Sequence, residues 1–203
     1  MSERQGGGSM VASRVIAVPA GQIATIVTCL EMTAPPAPVM PVKSALKLER
    51  WTAPVDLDRY RALFRAIGQP WLWRGRLVMD DETLAATLNA PTLEVHVATR
   101  RDGTPQGLLE LDFRQPDTCE LAFFGVAPAL IGGGIGRYLM NQAIDRAWAR
   151  PINLFHVHTC TLDHPNALPN YLNRGFKVFK EEDFEDMIPA EPLQPWEGAA
   201  KPA

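Results

Sequence analysis

Apolar and polar positions along this chain follow two periods, and the changes of period mark its organisation. Ile23 to Met32 is rich in β-branched residues and predicts a strand. Pro35, Pro36, Pro38 and Pro41 then predict an extended linker. A second strand is expected over Leu46–Trp51. From Asp56 to Ile67 the period becomes helical: Leu57, Tyr60, Leu63, Phe64 and Ile67 recur on one side, with Arg61 among them, and Gly68 is a stop signal. Trp71 and Trp73 fall in the loop that follows. Asp80 or Asp81 is placed to cap a short helix ending near Asn89, with Leu84, Ala85 and Leu88 facing inward.

Period-two alternation then returns for three strands: Leu93–Thr99, Gln106–Phe113 and Thr118–Val126. Arg101-Asp102-Gly103 and Pro116-Asp117 supply the turns, so an antiparallel meander is expected. After Pro128 the period is helical again, through Ile135, Leu139, Met140, Ala143, Ile144, Ala147 and Trp148. Asn153–Cys160 reads as a strand, Asn166–Arg174 as a short helix stopped by Gly175, and Phe176–Lys180 as a last strand. Three regions result: an N-terminal extension over 1–45 with a possible strand near 23–32, a main domain over 46–185, and a flexible tail over 186–203.

Composition narrows the class. The chain has 203 residues, 46% hydrophobic and 21% charged, which suits one globular domain. A formal charge of −3 argues against a nucleic-acid binder. No apolar run approaches the roughly 18 residues of a membrane-spanning helix. The first residues lack the order of a secretion signal. Cys29, Cys119 and Cys160 are widely spaced and odd in number, as expected of reduced thiols in a cytoplasm.

The chemistry concentrates where a strand runs through Gly132-Gly133-Gly134-Ile135-Gly136 into a helix. Such a turn lets several N–H groups point outward together at a helix N-terminus, which is a phosphate cradle. A P-loop would need Lys-Ser/Thr after the last glycine, and Arg137-Tyr138 stands there instead. The dinucleotide spacing G-x-G-x-x-G also fails. The glycines alone leave open a second reading, a turn with no ligand.

Two segments resolve that choice by resemblance. Val126-Ala127-Pro128 leading to Gly134 and Gly136 resembles the acetyl-CoA-binding segment of the GCN5-related N-acetyltransferases, in which V-x-P precedes (Gln/Arg)-x-x-G-x-(Gly/Ala). Ile131 departs from the Gln/Arg position. Asn166-Ala167 with Tyr171 and Gly175-Phe176 resembles the family's later N-x-x-A … Y-x-x-x-G-F segment. The likeness spans roughly residues 46 to 183 and includes the order of elements.

The resemblance implies an α/β fold: a mixed, mostly antiparallel sheet flanked by helices and opened into a V that receives acetyl-CoA. It implies transfer of an acetyl group to an amine by direct attack in a ternary complex. Phe124, Val126, Ile131, Gly132, Gly133, Gly134, Ile135, Gly136, Arg137 and Asn166 are then expected to bind acetyl-CoA. Tyr171 is expected to protonate the leaving thiolate. Glu120 is the expected base; period-two counting places it on one face with Ala122, Phe124 and Val126. Trp71, Trp73, Glu110 and His158 are expected to meet the acceptor, with Asp112 beside Glu110, and His158 or Asp163 to assist proton transfer. His156, His158 and Cys160 share a strand face but read as core or pocket polar residues, and no metal is expected. The expected partner is an amine on a small molecule or protein, with no nucleic acid and no membrane; the N-terminal strand and Pro linker are read either as a homodimer contact or, equally, as an ordinary extra strand of the sheet. Two rivals remain: a non-catalytic acyl-CoA-binding module, and an enzyme using a longer acyl-CoA.

Overall fold

The computed structural model describes residues 20, 22–37 and 41–189. Seven strands form one sheet in the order β2-β3-β4-β5-β6-β1-β7. They are β1 (Gln22–Met32), β2 (Lys47–Trp51), β3 (Leu93–Thr99), β4 (Pro105–Asp112), β5 (Thr118–Val126), β6 (Leu154–Cys160) and β7 (Lys177–Pro189). Neighbours are antiparallel except β5 and β6, which run parallel. The helices are α1 (Leu57–Gly68), α2 (Asp81–Leu88), α3 (Ile135–Trp148) and α4 (Ala167–Leu172). None of the described helices is long and apolar enough to cross a membrane.

Local signals set the helix starts. Asp56 accepts from Arg59 N–H at 3.0 Å, and Asp80 accepts from Thr83 N–H at 2.7 Å, each satisfying an orphan donor of a first turn. The meander turn also follows its sequence: Gly103 takes φ +84°, and Arg100 N–H bonds to Thr104 O at 2.9 Å.

The sheet divides the core in two. On one face α1 and α2 pack Tyr60, Leu63, Phe64, Ile67, Leu84 and Leu88 against Val95, Val97 and Leu108. On the other, α3 and α4 pack Met140, Ala143, Ile144, Ala147 and Tyr171 against Leu30, Leu109, Leu121, Phe155 and Val157. Both faces of β3 and β4 are covered, so their side chains are almost all buried.

Segments near both ends of the chain join the sheet. β1 lies inside the sheet, hydrogen-bonded to β6 and β7, so the strand expected near residues 23–32 is an interior strand next to the β7 edge. Its eleven residues offer a long ladder, and β7 follows that ladder out to Pro189, opposite Gln22. Residues 186–189, expected in the tail, are therefore strand. Pro38 and the chain beyond Pro189 lie outside the described residues.

Candidate active site

The β5–β6 ladder is short. It pairs Thr118, Cys119 and Glu120 with Leu154, Phe155 and His156, and there the register ends. Beyond Glu120 the strands carry no pairing, and a cleft of about 570 Å³ occupies the split. Phe124, Val126, Ile131, Gly132, Gly134, Gly136, Arg137, Asn166 and Tyr171 line it, together with Trp71, Trp73 and His158. One cleft thus gathers residues drawn from four separate stretches of sequence.

The glycine-rich loop forms one end. Gly132 and Gly134 take φ +85° and +81°, a region that residues bearing a Cβ seldom enter. A Cβ on Gly136 or Gly132 would meet no atom within 4 Å, so each borders open space. The first bond of α3 runs from Tyr138 N–H to Gly134 O at 3.1 Å, leaving the N–H groups of Ile135, Gly136 and Arg137 without a protein acceptor. Gly134 caps the helix without a side chain, and no acidic residue stands in the first turn. This is a positive helix end with free donors, and it fits a pyrophosphate. Gly133 and Ile135 belong to the loop but do not line the cleft; the Gly133 N–H is already bonded to Leu130 O at 3.2 Å.

The wall formed by β5 adds further donors. Ala127 N–H bonds to Gln106 O on the β4 side at 2.8 Å. N–H directions alternate along a strand, so Val126 and Phe124 point theirs away from β4, into the split. Those two N–H groups face the side where β6 has parted.

A bulge decides which side chains face which half of the cleft. Glu110 pairs with Phe123, but Leu111 pairs with Leu121, so Ala122 is an extra residue in β5. The alternation reverses there. Phe123 and Gly125 face α1, where the Phe123 and Phe64 rings are 4.7 Å apart. Phe124 faces α4, its ring 6.3 Å from that of Tyr171. The expectation that Glu120 shares a face with Ala122, Phe124 and Val126 is therefore corrected. Glu120 lies opposite Asp112 and shares its face with Phe123 and Gly125.

Glu120 meets His158 across the end of the ladder, with Oε1 and Nδ1 3.4 Å apart. Their side chains are 30% and 55% exposed, so the pair is reachable from solvent. The hydrogen bond to His158 holds the Glu120 carboxyl below the usual carboxylate value, and the same bond raises the imidazole above 6.5. Glu120 stands behind His158, which is the partner that lines the cleft. Tyr171 lines the other wall. Burial, then the negative charge of Asp163, pushes its phenol well above the ordinary value, so the hydroxyl keeps its proton.

Asp163 is not free for proton transfer. Its Oδ1 accepts from Trp73 Nε1–H at 3.3 Å; its Oδ2 accepts from the Thr159 hydroxyl at 2.7 Å and Cys160 N–H at 3.0 Å. It joins the loop after α1 to the loop after β6. Trp71 adds a second link, edge-on to His164 with ring centroids 5.1 Å apart.

Glu110 corrects a further expectation. It is fully buried: the Tyr60 hydroxyl donates to Oε1, and Arg76 donates to Oε2 at 2.8 Å from Nη2 and 3.3 Å from Nε. Both oxygens are engaged under α1, and the residue does not line the cleft. Asp112 is likewise engaged, by Arg114 Nε at 2.7 Å and Arg114 N–H at 2.9 Å. Neither carboxylate is available to an acceptor.

Phe123 and Leu162 also line the cleft, with no role assigned to them from sequence. No local signal marks them, because the bulge alone turns Phe123 toward α1. No group of His, Cys, Asp and Glu able to hold a metal ion is found among the described residues.

A family model described as Acetyltransferase (GNAT) family matches residues 60–176, more than half of the chain. The chain belongs to the GNAT acetyltransferase family. A search of curated proteins finds no match to the sequence. Solved structures share the fold at low identity. A GCN5-related N-acetyltransferase from Sphaerobacter thermophilus is 18% identical with a TM-score of 0.53, over 79% of this chain and 50% of that one. A GNAT-family acetyltransferase from Novosphingobium aromaticivorans is 16% identical with a TM-score of 0.52, over 83% and 67%. An aminoglycoside acetyltransferase from an uncultured soil metagenomic sample is 21% identical with a TM-score of 0.54, over 64% and 88%. The chain thus spans only half the length of the Sphaerobacter protein.

Proposed function

We propose that this GNAT domain transfers an acetyl group from acetyl-CoA to a primary amine by direct attack in a ternary complex. The observation that carries this reading is that the glycine-rich loop, Tyr171 and His158 line one cleft together. Acetyl-CoA, when bound, supplies an activated acyl thioester. The N–H groups of Ile135, Gly136 and Arg137 would hold its pyrophosphate, and Val126 and Phe124 N–H would hold the arm along the split.

The protein supplies the proton chemistry. An alkylammonium with pKa ~10 must lose a proton before it can attack. Glu120 orients His158 through Nδ1, which leaves Nε2 as the acceptor for that proton. Glu120, expected to act as the base directly, becomes the residue that positions the base. Tyr171 holds the proton that a departing thiolate needs.

The test is calorimetric titration with acetyl-CoA, CoA and NAD in parallel, followed by thiol release with a panel of amines. Binding of both CoA species without NAD is expected, with turnover that falls about 10²- to 10⁴-fold in Tyr171→Phe. Binding without turnover on any amine favours the non-catalytic acyl-CoA-binding reading. Absence of CoA binding overturns the proposal.

A further inference from the structure

We infer that the acceptor is an amine borne on an aromatic or bulky apolar group and carrying no second positive charge. The inference rests on the acyl-transfer reading above and deepens it.

The α1 side of the cleft is a built apolar wall. Two glycines make room for Trp73. A Cβ on Gly68 would stand 2.5 Å from the Trp73 Cβ, and one on Gly125 would stand 3.1 Å from its ring. The ring is fixed between Phe64 and Phe123, with centroids 5.4 Å from each, and its N–H is held by Asp163. Trp71 is carried beside it on a turn closed by Trp73 N–H to Gly68 O at 3.0 Å. Leu72 completes that turn at φ +56°, a left-handed conformation unusual for a residue with a branched side chain. Both flanking tryptophans and Leu72 itself line the cleft as a result.

Charge points the same way. Asp163 is the only carboxylate among the described residues lining the cleft, and three donors already occupy it. Glu110 is bound to Arg76 beneath α1, and Glu120 is bound to His158. A polycation entering here would find no unengaged carboxylate for its further charges, and burying such a charge unpaired is strongly unfavourable. A single ammonium is accommodated beside His158, while its apolar carrier rests on the indoles and Phe123.

The experiment measures direct binding and turnover separately. Tryptophan fluorescence and calorimetry on the whole chain, with CoA present and absent, compare 2-phenylethylamine, ethanolamine and spermidine. 2-Phenylethylamine is expected to bind at least tenfold more tightly than either of the others. Trp71→Ala, which removes a cleft-lining ring that stands edge-on to His164, is expected to weaken that binding about tenfold with an unchanged melting temperature. Tighter binding of spermidine, or no effect of Trp71→Ala, overturns the inference. Because amine binding is read without turnover, a chain that fails to bind CoA sinks the acyl-transfer reading while the amine preference is still decided.

Discussion

Glu110 and Glu120 stand on neighbouring strands and face the same side of one sheet, yet their surroundings differ in kind. Glu110 sits in the second half of β4 beneath α1 and is fully buried, its oxygens taken by Tyr60 and Arg76. Glu120 sits where the β5–β6 ladder ends, beyond the cover of the helix, and meets one partly exposed histidine. The difference is depth and partner. A buried carboxylate persists only if each oxygen has a strong donor, and donors so engaged leave nothing for a substrate. A carboxylate at the edge of cover can hold a titratable partner whose proton remains exchangeable. The first pair ties the segment after α1 to the sheet, because Arg76 comes from the same connection that carries Trp71 and Trp73. The second stands at the cleft, which His158 lines.

Substitutions break this contrast in graded steps. Arg76→Met leaves Glu110 buried without its cation and is expected to destabilise the fold by about 3–5 kcal/mol, measured by urea denaturation. A change below about 1 kcal/mol would place Glu110 with the exposed pairs. Tyr60→Phe removes the other donor, and a loss of roughly 1–3 kcal/mol is expected in the same assay.

Glu120→Gln sharpens the contrast from the other side. Stability is expected to change by less than about 1 kcal/mol, since the pair is partly exposed. The effect should appear in the pH profile instead. His158 must be neutral to accept a proton, so kcat rises with pH through its raised pKa, above 6.5. Without the Glu120 charge that limb moves to lower pH, and kcat falls because the ring is no longer oriented. An unshifted limb assigns the base to another group. For stability the signs are opposite for the two partners. The raised His158 contributes below 6.5 and loses its contribution as pH rises through its folded value, while the lowered Glu120 contributes above 4.5 and loses it as pH falls.

Glu94 gives a smaller check on the opposite face of the sheet. His96 first, then Arg150 and Arg50, hold its carboxyl at about 2. The contribution of this cluster is complete above 4.5 and fades as pH falls towards about 2, so Glu94→Gln is expected to flatten the acid limb of stability. An acid limb as steep as that of the parent chain would remove Glu94 from that account.

Much of the fold was legible locally. The caps at Asp56 and Asp80, the Gly103 turn and the apolar stripe of α3 each express an interaction between residues a few positions apart. The glycine cradle was legible for the same reason: positive φ and free N–H groups at a helix start are properties of one short segment. The site beyond the cradle was only partly legible. Tyr171, His158, Trp71 and Trp73 do line the cleft, whereas Glu110 was misplaced because nothing in Leu108–Asp112 announces that Tyr60 and Arg76 will converge on it. The bulge at Ala122 was equally silent. With both faces of the sheet covered, two adjacent phenylalanines satisfy two cores, and alternation no longer reports the face.

The sequence by itself determined the elements, the glycine-rich loop at a helix start and the family, because these rest on local periodicity, on backbone freedom at particular glycines and on short motifs. The tertiary structure alone decided that β1 enters the sheet between β6 and β7, that β5 and β6 part after Glu120, and which carboxylate is sealed and which is reachable. Those outcomes depend on pairings between residues far apart in the chain. Burial and the register of strand pairing are properties of the assembled layers, which no single segment carries.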